Sequence, residues 1–127
     1  MSKLLLTASA AFLFVLGVAL NFAPAEAVRL SGLEGTSAVP FQLLAGALIG
    51  VALMNWFSRS SVFGGVYGRP LGLANVVLFA VGGISLARGA MEIGSPVLWA
   101  LTAIYGLFAL AFIWVVFIAA RFSPPGN

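Results

Sequence analysis

The chain contains neither cysteine nor histidine. Their absence excludes disulfides, thiolate chemistry, zinc sites built on Cys or His, and haem held by a histidine pair. Charge is almost as scarce. Charged residues are 7% of the 127 residues, against about a quarter in a typical soluble domain. So few polar groups cannot cover a water-exposed surface. The net charge of +3 comes from six basic and three acidic side chains, and these are dispersed along the chain, so no basic patch points to nucleic acid. What remains is apolar: 62% of the residues are hydrophobic. A helix crossing a bilayer needs about 20 apolar residues, so four crossings use most of the chain and leave no room for a separate soluble domain.

Four apolar runs are present. Leu4 to Ala23 is free of charge and ends before Pro24. Phe41 to Phe57 follows Pro40, which suits a first helical turn because its missing N–H has no partner there. Leu71 to Leu86 follows Pro70 and stops at Arg88. Pro96 to Ala120 opens behind Ser95, a candidate N-cap, and closes at Arg121. None has the charged outer face of a soluble amphipathic helix, and in lipid a helix satisfies its own backbone hydrogen bonds. The expected fold is all-α, one transmembrane domain over 1–127. It is an up-down-up-down four-helix bundle with spans near 4–23, 41–58, 70–87 and 96–120, sequential helices being antiparallel neighbours. The segment Ala25 to Val39 has room for a short interfacial turn around Ala25 to Leu33.

The first run has a second reading as a secretory signal, because Lys3 precedes it and Ala25-Glu26-Ala27 has the small-x-small form of a cleavage site. Its length exceeds a usual signal core, which favours a retained helix. With four spans, Lys3, Arg59, Arg69 and Arg121 fall on one side and only Arg29 and Arg88 on the other. Cytoplasmic segments are enriched in Lys and Arg, so a multi-pass protein of the inner (plasma) membrane with both termini cytoplasmic is expected. Glu26, Glu34 and Glu92 lie on the opposite side.

No charged residue falls inside an apolar run, whereas proton- and cation-coupled transporters usually keep an intramembrane ionisable group. Small multidrug exporters are similar in size but rely on a membrane-embedded glutamate, and the first run has none. The glycine-rich, arginine-containing signature of fluoride channels is not found either. Catalytic sets are missing: no paired carboxylates within a span, no Ser/His/Asp set, no acidic metal cluster. Gly64-Gly65 and Gly68 lack the Lys and Ser/Thr that bind nucleotide phosphate, and read as a turn. No enzyme activity and no cofactor is expected.

Packing signals are present instead. Gly46 and Gly50 form a GxxxG pair, read as helix–helix contact within the monomer ahead of a seam with a second copy or a partner. Gly72, Asn75, Phe79 and Gly82 share one face of the third span. Asn55 and Asn75 lie at comparable depth near the inner ends of their spans, and an unpaired amide in hydrocarbon is costly. Both are therefore expected to face the interior, each bonding the other or a backbone carbonyl, while Arg59 and Arg69 stay at headgroup level. Trp56, Trp99 and Trp114 sit near span ends, where aromatic belts form. Tyr105 is deeper, so its hydroxyl should find an acceptor. A faint internal echo runs through the chain. Leu13-Phe14 with Gly17 recurs as Leu78-Phe79 with Gly82, and Ala47-Leu48-Ile49-Gly50 as Ala103-Ile104-Tyr105-Gly106, as two related hairpins would produce.

Leu16 to Leu33, with Phe22, Pro24 and Leu30-Ser31-Gly32-Leu33, is followed by Gly46, Gly50, Asn55-Trp56-Phe57-Ser58-Arg59 and then Asn75. In this pattern the chain resembles a group of small bacterial four-helix membrane proteins. The resemblance implies a four-span fold and brings no activity or functional residues with it. Two functions are expected from these observations. One is an accessory or structural subunit whose partners are the lipid bilayer and a larger membrane complex, or a second copy of itself. The other is a small transporter or channel passing a neutral or anionic solute by Asn55, Asn75, Arg59 and Arg69.

Overall fold

The computed structural model describes residues 2–32, 38–59 and 68–118. Those residues form five helices: α1 (Ser2–Phe22), α2 (Pro24–Ser31), α3 (Val39–Phe57), α4 (Gly68–Ile93) and α5 (Pro96–Ile113), the last running on into a π-helical turn over Trp114–Ile118. Four of them, all but α2, are long and apolar enough to cross a membrane. Only 22–33% of each crossing segment is buried inside the protein, and the exposed remainder includes Leu4, Leu43, Leu53, Leu107 and Leu110. An apolar exterior on every long helix is what a bilayer solvates and water does not. The chain is a multi-pass membrane protein folded as a four-helix bundle.

Local chemistry sets the helix ends. Pro24 forces Ala23 out of helical geometry (φ −134°, ψ 54°) because its ring clashes with a helical residue before it, so α1 stops and α2 starts one residue later. The short interfacial turn expected around Ala25 to Leu33 is α2, with Glu26 and Arg29 exposed and ion-paired. It ends at Gly32, whose φ of 80° few side chains tolerate. Pro40 and Pro96 both lie in first turns. The sequence places the end of the third span at Arg88, yet α4 continues through Arg88 and Glu92 to Ile93. A charge near the membrane surface does not break a helix. Gly94 does, at φ 75°, with its N–H on the Ala90 carbonyl at 2.7 Å. At 26 residues, α4 is about 39 Å long, so its last turns reach the interface. Ser95 stands at the N-cap position of α5 but makes no capping bond; its hydroxyl donates instead to the Leu30 carbonyl at 3.3 Å, tying α2 to the start of α5.

The expected pairing of sequential spans holds within each half of the chain and fails between them. α1 packs along α3 and α4 along α5, while α3 and α4, consecutive in the chain, approach each other only sparingly. The bundle is thus two hairpins laid side by side. In the first, a Cβ on Gly17 would stand 2.7 Å from the Ile49 side chain; in the second, a Cβ on Gly82 would stand 2.6 Å from the Tyr105 ring. Gly17 and Gly82 are equivalent in the internal echo, and so are Ile49 and Tyr105. Each hairpin therefore closes by the same device, a glycine notch on its first helix receiving one bulky side chain from its second. Pro40 and Pro96, also equivalent in that register, start the two receiving helices. Aromatic rings fill the space between hairpins: Phe12 stacks on Phe108 at 5.6 Å and meets Tyr105 edge-on at 5.9 Å. Phe79 stacks on Phe108 and Phe112.

Candidate functional site

Asn55 sits in the last turn of α3 and Asn75 in the second turn of α4, both fully buried. Their amides pair reciprocally: Asn55 Nδ2 donates to Asn75 Oδ1 at 2.7 Å, and Asn75 Nδ2 donates to Asn55 Oδ1 at 2.8 Å. The second N–H of Asn75 goes to the Leu71 carbonyl at 2.9 Å, and that of Asn55 to Ser9 Oγ at 3.0 Å. Leu71 O can only accept, which fixes the orientation of the Asn75 amide and, through it, that of Asn55. Ser9 in turn donates to the Leu6 carbonyl at 3.1 Å. Every amide N–H is spent. The expected inward orientation and mutual bonding are both present, and the closed ring joins α1, α3 and α4 where the two hairpins otherwise touch little.

Such a ring holds structure together and offers a solute no free donor. Arg59 does not extend it toward the surface. Its guanidinium folds back over the Trp56 ring at 4.1 Å and donates to the Trp56 carbonyl at 2.7 Å, held at the end of α3 by its charge and a cation–π contact. Arg69 lies in the first turn of α4, its side chain outside the described residues, as are the Gly64-Gly65 turn and Arg121. Trp56, Trp99 and Trp114 are partly exposed near helix ends, as an interfacial belt requires.

The glycines divide. Gly72 is buried on the face shared with Asn75 and Phe79, and Gly82 forms the notch for Tyr105. Gly46 and Gly50 correct the expectation of contact within the monomer: both face outward, and a methyl placed on either would meet no described atom of the chain within 4 Å. The inner face of α3 is instead the one carrying Ala45, Leu48, Ala52 and Asn55. The expectation for Tyr105 also needs correction. Its ring is 5% exposed, set edge-on against Phe79 at 5.3 Å, and its hydroxyl meets no hydrogen-bond partner among the described residues.

Sequence reasoning missed the feature beside it. Between the hairpins, toward the α2 end, lies a cavity of about 370 Å³ lined by Leu16, Leu20, Leu86, Leu98, Leu101 and Tyr105 among others. A second space of about 350 Å³ shares Leu44, Leu86, Leu98 and Tyr105 with it. Hydropathy gives no sign of either, because a leucine facing a void and a leucine facing lipid read alike. Ser9 is the other residue that the sequence expectations leave out, although its depth near the start of α1 matches the inner-end depth of Asn55 and Asn75 and is a signal for it. Comparison with family models, with curated proteins and with solved structures finds no match to this chain.

Proposed function

We propose that this protein is a non-catalytic accessory subunit of a bacterial inner membrane, its termini cytoplasmic, that packs against a larger membrane complex through the outer face of α3. The observation that carries the reading is the outward GxxxG pair. Gly46 and Gly50 lie one turn apart with open space before them, flanked by exposed Leu43, Leu53 and Phe57. Two small residues at that spacing let another helix backbone come close, which is how helices gain packing energy where lipid gives no hydrophobic drive. A helix that has already used its other face against α1 has no internal need for this one. The transporter reading loses support from the same geometry, because Asn55 and Asn75 are saturated by each other and by Ser9 and Leu71.

Extraction in mild detergent followed by native mass spectrometry is expected to show the chain with a stoichiometric membrane partner. Gly50→Leu should remove that partner while the variant chain still folds and inserts. Solute flux from the purified protein alone in liposomes would overturn the reading. Orientation has its own test: a protease-sensitive tag at the N-terminus should be protected in right-side-out vesicles, and cleavage from outside would reverse the topology.

A further inference from the structure

We propose that the cavity between the two hairpins binds a membrane-soluble molecule with an apolar body and a carbonyl group, of the quinone class, whose carbonyl accepts a hydrogen bond from the Tyr105 hydroxyl. This goes beyond the accessory reading and does not depend on it.

The hydroxyl of Tyr105 is the one polar feature of the bundle interior, among the described residues, that packing does not explain. In the first hairpin the equivalent side chain is Ile49, which fills the Gly17 notch with carbon alone. A phenylalanine would fill the Gly82 notch as Tyr105 does. Yet a hydroxyl is present, on a side chain 5% exposed, without a partner among the described residues. It is not sealed in, because every side-chain nitrogen or oxygen that is wholly buried among the described residues has a partner. The residue borders both spaces between the hairpins. A polar atom in hydrocarbon that opens on a cavity is satisfied by whatever enters the cavity.

The rest of the lining says what enters. Leu16, Leu20, Leu44, Leu86, Leu98 and Leu101 give an apolar wall. In this larger space the other polar residues lie at the α2 end and are occupied: Glu26 pairs with Arg29, and Ser31 donates to the Val28 carbonyl at 3.2 Å, while the exposed Ser85 borders only the second space. Tyr105 is nine positions after Pro96, the first residue of α5, so it lies about 13 Å below that helix end, close to the middle of a hydrocarbon core of about 30 Å. Phospholipid esters lie at the interface, too shallow to reach it. The ligand must carry its polar atom into the midplane. A carbonyl suits that position because it accepts one hydrogen bond and has no donor of its own to strand; the single phenolic donor matches it.

The test uses the full-length protein in phosphatidylcholine nanodiscs with a diazirine-tagged decyl-benzoquinone. Photolabelling should saturate, map to residues lining the cavity such as Leu98 and Leu101, and be displaced by untagged decyl-benzoquinone. Tyr105→Phe keeps the ring in its notch and should weaken binding by about 2- to 12-fold, the range of one neutral hydrogen bond. Leu101→Trp, which fills the cavity, should abolish labelling while the chain still inserts. A tagged long-chain ketone labelling the same residues with the same Tyr105 dependence would support the carbonyl chemistry with a ligand that is not a quinone. Non-saturable labelling would overturn the proposal, as would equal affinity in wild type and Tyr105→Phe. So would saturable labelling of the same residues by a tagged alkane of equal length.

Discussion

Asn75→Ala is expected to destabilise the protein by about 2 kcal/mol, measured by steric trapping or detergent unfolding, and to loosen the join between hairpins. Single interhelical hydrogen bonds in membranes average only about 0.6 kcal/mol, because the unfolded chain in lipid finds other partners. The larger figure follows from what the substitution leaves behind. Asn55 keeps one N–H and its carbonyl oxygen unpaired at a fully buried position, and each stranded group costs about 1–3 kcal/mol. Asn55→Leu should do comparable damage by stranding Asn75. The double variant Asn55→Leu/Asn75→Leu removes both amides and strands neither, so its loss should fall well short of the sum of the two single losses. Ser9 keeps its bond to Leu6 O in all of them. Additive losses would mean that the amides stabilise independently, and the closed ring would then not be the unit joining α3 to α4.

That ring is legible in the sequence, and the reason is physical. An amide in hydrocarbon has few ways to be satisfied, so two amides at one depth on helices joined by a short loop constrain each other. The crossings are legible for a similar reason, since bilayer thickness fixes run length and Pro24, Pro40, Pro70 and Pro96 punctuate it. The end of α4 is not, because Arg88 reads as the stop signal where the backbone of Gly94 is the true one. Pairing of consecutive spans is legible within each hairpin, but the face each helix turns inward is not. In lipid all faces of a helix are apolar, so the inward face must be read from small and polar residues, and these point both ways: Ala45, Ala52 and Asn55 turn in while Gly46 and Gly50 turn out. A GxxxG spacing says that a backbone can approach, not whose. The cavity beside Tyr105 leaves no trace in composition at all, and only the hydroxyl, one polar atom where Ile49 has none, hints at it.

The glycines offer the sharpest contrast in expected effect. A methyl on Gly17 would stand 2.7 Å from Ile49 Cγ1 and 3.1 Å from the Ala45 carbonyl oxygen. The side chain could turn aside, but the backbone oxygen moves only if α1 and α3 separate. Gly17→Ala should therefore cost about 1–3 kcal/mol as overpacking, and Gly17→Leu should prevent the first hairpin from closing, seen as loss of the folded species in detergent unfolding. Gly82→Ala meets only the Tyr105 ring, at 2.6 Å, and a ring bordering open space can shift, so its loss should be smaller than that of Gly17→Ala. Gly50→Ala meets nothing within 4 Å and should leave the isolated chain unchanged or slightly stabilised, since alanine is the better helix former. The order of loss, Gly17 above Gly82 above Gly50, follows from whether the neighbour is backbone, side chain or lipid. Should Gly50→Ala prove as harmful as Gly17→Ala in the isolated chain, α3 would have to pack with its opposite face inward. The Asn55–Asn75 pair could not then form, and the two hairpins would need a different join.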